Sequence, residues 1–550
     1  MMNSESKLEE AIISTVENYI QTVVLVDDMI YERKSGVVTP QKLAAPQKTL
    51  RMKTLKSREK DENKKDAVVD RDANDDVNEV SFHDVQDYYA KKKIICSLYQ
   101  PKKNAGVGVN SDVYKLCTAA DVIVVDWQLH DDSGKNALEL IANIVYQSKT
   151  DVPEQTRLII IYTLEQNLGQ VASDVFDKLE EKLGNGQVNP GDNELVLVTS
   201  NCRIVIFGKR EHGTISKYNQ YCVPEKKLAE KTIEEFSKLT SGLLQTVVLK
   251  GLASIRENNL RILTRFNESL DLPFLIDRHL LDGNEYSFSH LMELLTEEIS
   301  AIFEDRVGKY PLGNKNVTVE VIKEWVEKNW NHSEKKEFKD IKKPKEGAMQ
   351  MLSNGGTIKG IAADNYKRRC SFLYGDNGEK NAEYHYRIAA LMNQRMMYDK
   401  SNRKMHLGTI IKEQFDNKRY LMCLQPACDS VRLNDGVITF IFCEIEKVEG
   451  ENKFTHIIVD RNSELLKFKY SPSAKKSVAL KFNCTGDELL AKLNINNEYQ
   501  FQGIAKNETY DWVAELKNKH AQRAVEEFGR SLSRVGLTGS ELLRLISKPN

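Results

Sequence analysis

Residues Ala120 to Ile141 read ADVIVVDWQLHDDSGKNALELI: a short apolar run, then Asp126, then a polar loop, then apolar residues at helical spacing. A continuous run of this kind is the pattern of a strand buried on both faces of a parallel sheet. Behind it, Ala137, Leu140, Ile141, Ile144 and Val145 define the inner face of a helix that would return over that sheet. A buried strand that ends on a bare carboxylate needs a chemical reason.

The neighbouring sequence repeats the alternation. Leu8, Ile12, Val16, Tyr19 and Ile20 predict an opening helix, and TVVLVDD (Thr22 to Asp28) predicts a buried strand. Between about Glu32 and Asn78 the chain is dominated by Lys, Arg, Asp and Glu, including KSREKDENKKDAVVDRDANDD, and residues 32–80 read as a disordered charged insertion. Order is expected to resume with a helix at Phe82 to Ala90, a strand at Lys93 to Tyr99 and a helix at Ser111 to Ala119. After the opening stretch come RLIIIYT (Arg157 to Thr163), a helix over Val171 to Lys182, and RIVIFGK (Arg203 to Lys209). Strands alternating with helices predict an α/β fold, a doubly wound parallel sheet of five strands covered on both faces.

In such sheets ligands collect at the carboxyl ends of the strands. Those ends carry Asp27 and Asp28, Asp126, Thr163 and Lys209. An acidic pair alone is often a turn or helix cap, and a lone lysine is often a solvated side chain; the five together carry the argument. Three converging carboxylates repel one another and call for a hard cation, Mg2+ being the natural candidate. A lysine and a hydroxyl nearby suit the oxygens of a phosphoryl group. The set reads as a site where Asp126, alone at the central strand end, attacks phosphorus and becomes an aspartyl phosphate.

In VLVDD, VIVVDWQLHDDSG, IIIYT and IVIFGK the chain resembles the receiver domains of two-component response regulators, over about Gln21 to Gly213. Gly134 stands where that family keeps a glycine before its third helix. The resemblance implies a flavodoxin-like receiver whose Asp126 accepts phosphate from a sensor histidine kinase, with Thr163 and Lys209 beside it. It also implies Mg2+ held by Asp27, Asp28 and Asp126, with Gln128 at the metal site. Gln128 also reads as a residue that orients a hydrolytic water, or as a solvated glutamine. Apart from Mg-dependent self-phosphorylation and dephosphorylation, no enzyme activity is implied. The sequence departs from the family pattern at Leu164, larger than the usual residue after the threonine, at Arg210 in place of proline, and at Phe207, one position nearer the lysine than the usual aromatic.

Elsewhere the chain is unlike the usual outputs. The segments read as a receiver-like domain (1–222), a helical region (223–333), a linker and irregular segment (334–383) and a β-rich domain with C-terminal helices (384–550). Leu228 to Leu252 suggest long helices running past Leu260 to a stop near Pro273, available for homodimer contacts or for packing onto the chain's own C-terminal region. His279 and His290 read as packing residues rather than phosphotransfer histidines. KKEFKDIKKPKEG (Lys335 to Gly347) reads as a linker. Strand-like runs span Tyr384 to Phe482, and helices are expected from Tyr510 to Ser547, with Arg523, Arg530, Arg534 and Arg544 on a solvated face. Cys423 and Cys428 read as buried thiols rather than a zinc pair.

The 550 residues carry a net charge of −1, which gives no global attraction to nucleic acid. No apolar run reaches the roughly 20 residues of a membrane span. The polar, acidic opening MMNSESKLEEAI and nine unpaired-looking cysteines point to a cytoplasmic protein with reduced thiols. The overall organisation is similar to the receiver proteins of Detocs-type bacterial phage-defence two-component systems. That resemblance implies a phosphate buffer competing with an effector-linked receiver protein. The alternative is a degenerate receiver scaffold whose C-terminal region binds a partner or carries an effector activity.

Overall fold

The computed structural model describes residues 7–30, 82–328 and 378–532, excluding 104–105, 131, 151–154, 210–214, 281–285, 309–311, 313–314, 399–402, 416–418, 427–428, 431–432, 434, 451–452 and 506, together with 330, 345, 349, 352 and 546. The expected insertion at 32–80, nearly all of the lysine-rich stretch, Cys428, Arg534, Arg544 and the side chains of His279 and His290 lie outside the described residues. The chain divides into two compact units, Met1–Pro273 with Phe288–Trp325, and Phe274–Ser287 with Val326–Asn550.

The first unit begins with α1 (Lys7–Tyr19), β1 (Thr22–Val26), α2 (Phe82–Lys91), β2 (Ile95–Tyr99), α3 (Asp112–Ala119), β3 (Val122–Val125) and α4 (Lys135–Thr150). It continues with β4 (Arg157–Thr163), α5 (Leu168–Leu183), β5 (Asn189–Pro190), β6 (Val196–Val198) and β7 (Cys202–Gly208). The strand order is β2-β1-β3-β4-β7-β6-β5. The first five are parallel, with Val23 opposite Val122 and Val125 opposite Ile161. This is the flavodoxin-like order of a doubly wound receiver fold. The sheet is wider than five strands, because β6 and β5 extend it as an antiparallel ribbon beyond β7. Two- and three-residue strands carry too little periodicity to register in the sequence.

Alternate residues of each strand face opposite sides. Val24, Val26, Ile123 and Val125 pack beneath α3, α4 and α5, where Cys117, Leu140, Ile141, Ile144, Val171 and Val175 are buried. Val23, Leu25, Val122 and Val124 pack beneath α1, α2 and the following helix α6 (Glu225–Leu239), with Val16, Tyr89, Leu228 and Phe236. Ser111 caps α3 by accepting the Tyr114 N–H at 3.3 Å, and Asn167 caps α5 by accepting that of Gln170 at 3.2 Å.

α7 (Leu243–Arg265) lies against α1, and its Arg256 pairs with Asp121 at 2.7 Å. The helix ends at Arg265, earlier than expected. Pro273 falls instead in the first turn of α8 (Asp271–Leu280), where a missing N–H costs no intrahelical bond. α9 (Tyr286–Ile302) and α10 (Lys315–Lys328) follow, and Val321 of α10 joins the core beneath α1 and α6.

In the second unit, α11 (Gly378–Asn393) takes up Tyr384, which sequence patterning assigns to the β-rich region. Nine strands follow: β8 (Thr409–Glu413), β9 (Tyr420–Cys423), β10 (Gly436–Val448), β11 (His456–Val459), β12 (Leu465–Lys469), β13 (Ser477–Cys484), β14 (Lys492–Leu493), β15 (Tyr499–Gln502) and β16 (Thr509–Glu515). The sheet therefore runs past Phe482, and Tyr510 is a strand residue; only α12 (Asn518–Leu532) closes the described region. Its order is β11-β12-β10-β9-β8-β16-β15-β14, with β13 on β10. A bridge between Phe482 and Gly503 brings β13 back to the end of β15, around an aromatic core of Phe440, Phe442, Phe482, Phe501 and Tyr510. The cysteines among the described residues are all free thiols, Cys423 buried among them. No helix among the described residues is long and apolar enough to cross a membrane.

Candidate phosphoacceptor site

The carboxyl ends of β1, β3, β4 and β7 meet at one rim. Backbone pairing sets the spacing: Asp126 N–H donates to Val26 O at 2.8 Å, and Lys209 N–H donates to Thr163 O at 2.7 Å. Asp27, Asp126, Thr163 and Lys209 are all buried, and Asp28 is partly exposed. Lys209 Nζ donates to Asp27 Oδ2 at 2.6 Å and to Asp126 Oδ2 at 2.8 Å. The sequence-expected residues Asp27, Asp28, Asp126 and Lys209 thus converge, and Thr163 stands beside them through its backbone bond to Lys209. Each of Asp27, Asp28 and Asp126 offers a carboxylate oxygen within 4.8 Å of the others.

Hydrogen bonds already made show which oxygens remain. Asp27 Oδ1 accepts the Met29 N–H at 2.8 Å, and Asp28 Oδ2 accepts the His130 N–H at 2.8 Å. Asp126 Oδ1 is buried with no hydrogen-bond partner. A buried anionic oxygen without a donor is costly unless a ligand supplies one. That orphaned oxygen, in a set of three carboxylates, fits a hard divalent cation. Burial raises the Asp126 carboxyl to about 6, against the pull of Lys209, and Asp27 adds to the rise. Burial alone would lower Lys209, but Asp126 and Asp27 outweigh it and hold the ammonium above its ordinary range.

The Gln128 side chain is bonded to its neighbours. Its Nε2 donates to Glu165 Oε1 at 2.5 Å and its Oε1 accepts the Ser133 N–H at 3.2 Å. Thr163 Oγ1 accepts the Glu165 N–H at 3.2 Å. Leu164, next to Thr163, is 46% exposed. Phe207 is buried in the core on the α6 side.

Three further features shape the loop after Asp126. His130 adopts φ 63° and places its Nδ1 3.4 Å from Asp28 Oδ2. Gly134 has φ 84°, and a Cβ there would lie 2.2 Å from the Trp127 ring, so the loop after Asp126 requires glycine. Asp132 accepts the N–H groups of Gly134 at 3.0 Å and Asn136 at 2.6 Å, holding the start of α4. The sequence signalled Gly134 by its place before the third helix and Asp132 by DDSG directly before an amphipathic run, whereas the His130 contact carried no signal.

Residues 19–214 match the family model described as the response receiver domain. No curated protein and no solved structure matches the chain. The match and the strand order make this segment a divergent receiver domain, a phosphoacceptor module that implies a phosphodonor partner.

Proposed function

We propose that the first unit accepts a phosphoryl group on Asp126 from a sensor histidine kinase, as a response regulator. The observation that carries this is Asp126 itself: one oxygen is held by Lys209 at 2.8 Å and the other is buried without a partner. In the reaction an Asp126 oxygen forms a bond to phosphorus as the P–N bond of a phosphohistidine breaks, the electron pair leaving with the imidazole. Lys209 keeps its bond to Asp27 and turns its remaining donors to the phosphoryl oxygens. The Thr163 hydroxyl, already accepting a backbone N–H, still has its own proton to donate to a phosphoryl oxygen. Mg2+, held by Asp27, Asp28 and Asp126, would neutralise charge on those oxygens.

The finer reading is a phosphate buffer in anti-phage signalling, drawing phosphate from a kinase shared with an effector-linked receiver protein. Supporting storage, the Gln128 amide is held at one end by Glu165 and at the other by the Ser133 N–H, which restrains it from turning to align a water.

The test is intact-mass analysis after incubation with acetyl phosphate and Mg2+. Wild type should gain one phosphoryl group and Asp126→Asn none. Equal labelling of the two forms would remove Asp126 from the role and favour the scaffold reading.

A further inference from the structure

His130, in the loop that follows Asp126, turns both its backbone and its ring to Asp28. Its N–H donates to Asp28 Oδ2 at 2.8 Å, and its Nδ1 lies 3.4 Å from the same oxygen. Its φ of 63° is in the left-handed region, natural for glycine and tolerated by asparagine and histidine. Among the described residues Asp28 is the ring's only polar neighbour, since Nε2 is buried and bonded to nothing. The two side chains are 17% and 13% exposed, so little water screens the contact.

The oxygens left over show what this contact does. Asp27 has both of its oxygens engaged, Oδ1 by the Met29 N–H and Oδ2 by Lys209. Asp126 Oδ1 and Asp28 Oδ1 accept no hydrogen bond among the described residues, and these are the oxygens open to a cation. A metal-binding carboxylate is oriented by the donors on its other oxygen. On Asp28 that oxygen is Oδ2, and both groups beside it belong to His130. The ring contact is longer than a good hydrogen bond and reinforces the firm one from the backbone. A ring nitrogen facing a carboxylate carries the proton in the neutral imidazole as in the charged one, so the contact needs no change of protonation.

We infer that His130 is a positioning residue for metal binding: its N–H and its ring hold Asp28 Oδ2, so that Oδ1 is presented to a divalent cation shared with Asp126. This rests on the reading of the rim as a Mg2+ site.

Isothermal titration of the full chain with Mg2+ alone, without a phosphodonor, tests it. His130→Gly keeps the N–H, suits the backbone angle and removes the ring; its affinity for Mg2+ should fall about tenfold. His130→Asn carries an amide nitrogen where the imidazole has Nδ1 and should recover most of that loss. Melting without Mg2+ is followed for both variants, and weaker binding that tracks a lower melting temperature in the two alike makes His130 structural and overturns the inference. Mg2+ binding as tight in His130→Gly as in wild type, or no tighter in His130→Asn than in His130→Gly, overturns it alone. A wild type that does not bind Mg2+ overturns it together with the metal site.

Discussion

Gln128 and Glu165 are joined across the rim of the receiver sheet by an amide-to-carboxylate hydrogen bond of 2.5 Å, linking the loop after β3 to the residue two beyond Thr163. While it persists, the Gln128 amide is held toward Glu165 instead of being free to turn to a hydrolytic water. Glu165→Ala should free the amide and shorten the aspartyl-phosphate lifetime several-fold, an effect of about 1 kcal/mol on the barrier. Adding Gln128→Ala should restore the long lifetime. Phosphate release from labelled protein measures both; an unchanged lifetime in Glu165→Ala refutes the account.

Lys209 is the counter-ion of two buried carboxylates, so its loss should be felt before any chemistry. Removing one partner of a buried ion pair leaves uncompensated charge and costs on the order of 3 kcal/mol. Lys209→Met should melt at lower temperature than wild type near neutral pH. Mg2+ should recover part of the loss, since a cation at Asp27, Asp28 and Asp126 replaces some of the missing charge. A melt insensitive to Mg2+ in both proteins would argue against a cation at this rim.

The sequence made the four polar strand ends visible because each follows a run of buried aliphatics and so stands where the apolar layer stops, at the sheet edge where ligands collect. Their convergence was readable from strand alternation, since the βαβ hand leaves few arrangements. What stayed hidden depends on contacts distant in sequence or on elements too short to show a period. Gln128 meets Glu165 only once β3 and β4 pair. The ribbon of Asn189–Pro190 with Val196–Val198 is too short to alternate. Pro273 misled because the same residue that ends one helix can open the next. In the β-rich unit, strand-like runs were visible to Phe482, but the half-buried strands holding Tyr499 and Tyr510 mix polar and apolar residues and were passed over.

Gly134→Ala is a probe of the loop that follows Asp126. The new methyl would collide with Trp127 at a backbone angle that disfavours any side chain, a strain of roughly 1–3 kcal/mol. Because Trp127 is bonded to Asp126, the proposed phosphoacceptor, the variant should both melt earlier and accept phosphate more slowly from acetyl phosphate. Normal labelling with a lowered melting temperature would confine the glycine to a structural role.

His456 gives the β-rich unit a pH dependence. Burial, aided by His520 and Arg523 against the opposing Glu527, lowers the imidazole to about 4, while Thr455 Oγ1 lies 3.0 Å from its Nδ1. Between about 4 and 6.5 the unfolded chain binds a proton that the folded one does not. Stability should therefore be full above about pH 6.5 and decline as pH falls through that window. Urea unfolding at about pH 7 and about pH 5 should show a larger loss for wild type than for His456→Phe; equal losses would exclude His456 as the source.

The pairing of Thr22 with Ile95 fixes how much chain the sheet must close over. Residues 31–81 of the sequence lengthen the connection between these two strands roughly fourfold, yet closure entropy grows only with the logarithm of length, so the added term is about 1 kcal/mol. Both flanks of that connection are anchored independently, β1 by β3 and α2 by Tyr89, whose hydroxyl lies 2.6 Å from Thr232 Oγ1. The gap between the first strand and the first covering helix is thus a place where evolution, or a protein engineer, can splice in or trim tens of residues at little thermodynamic cost to the fold, a few positions from the acidic pair.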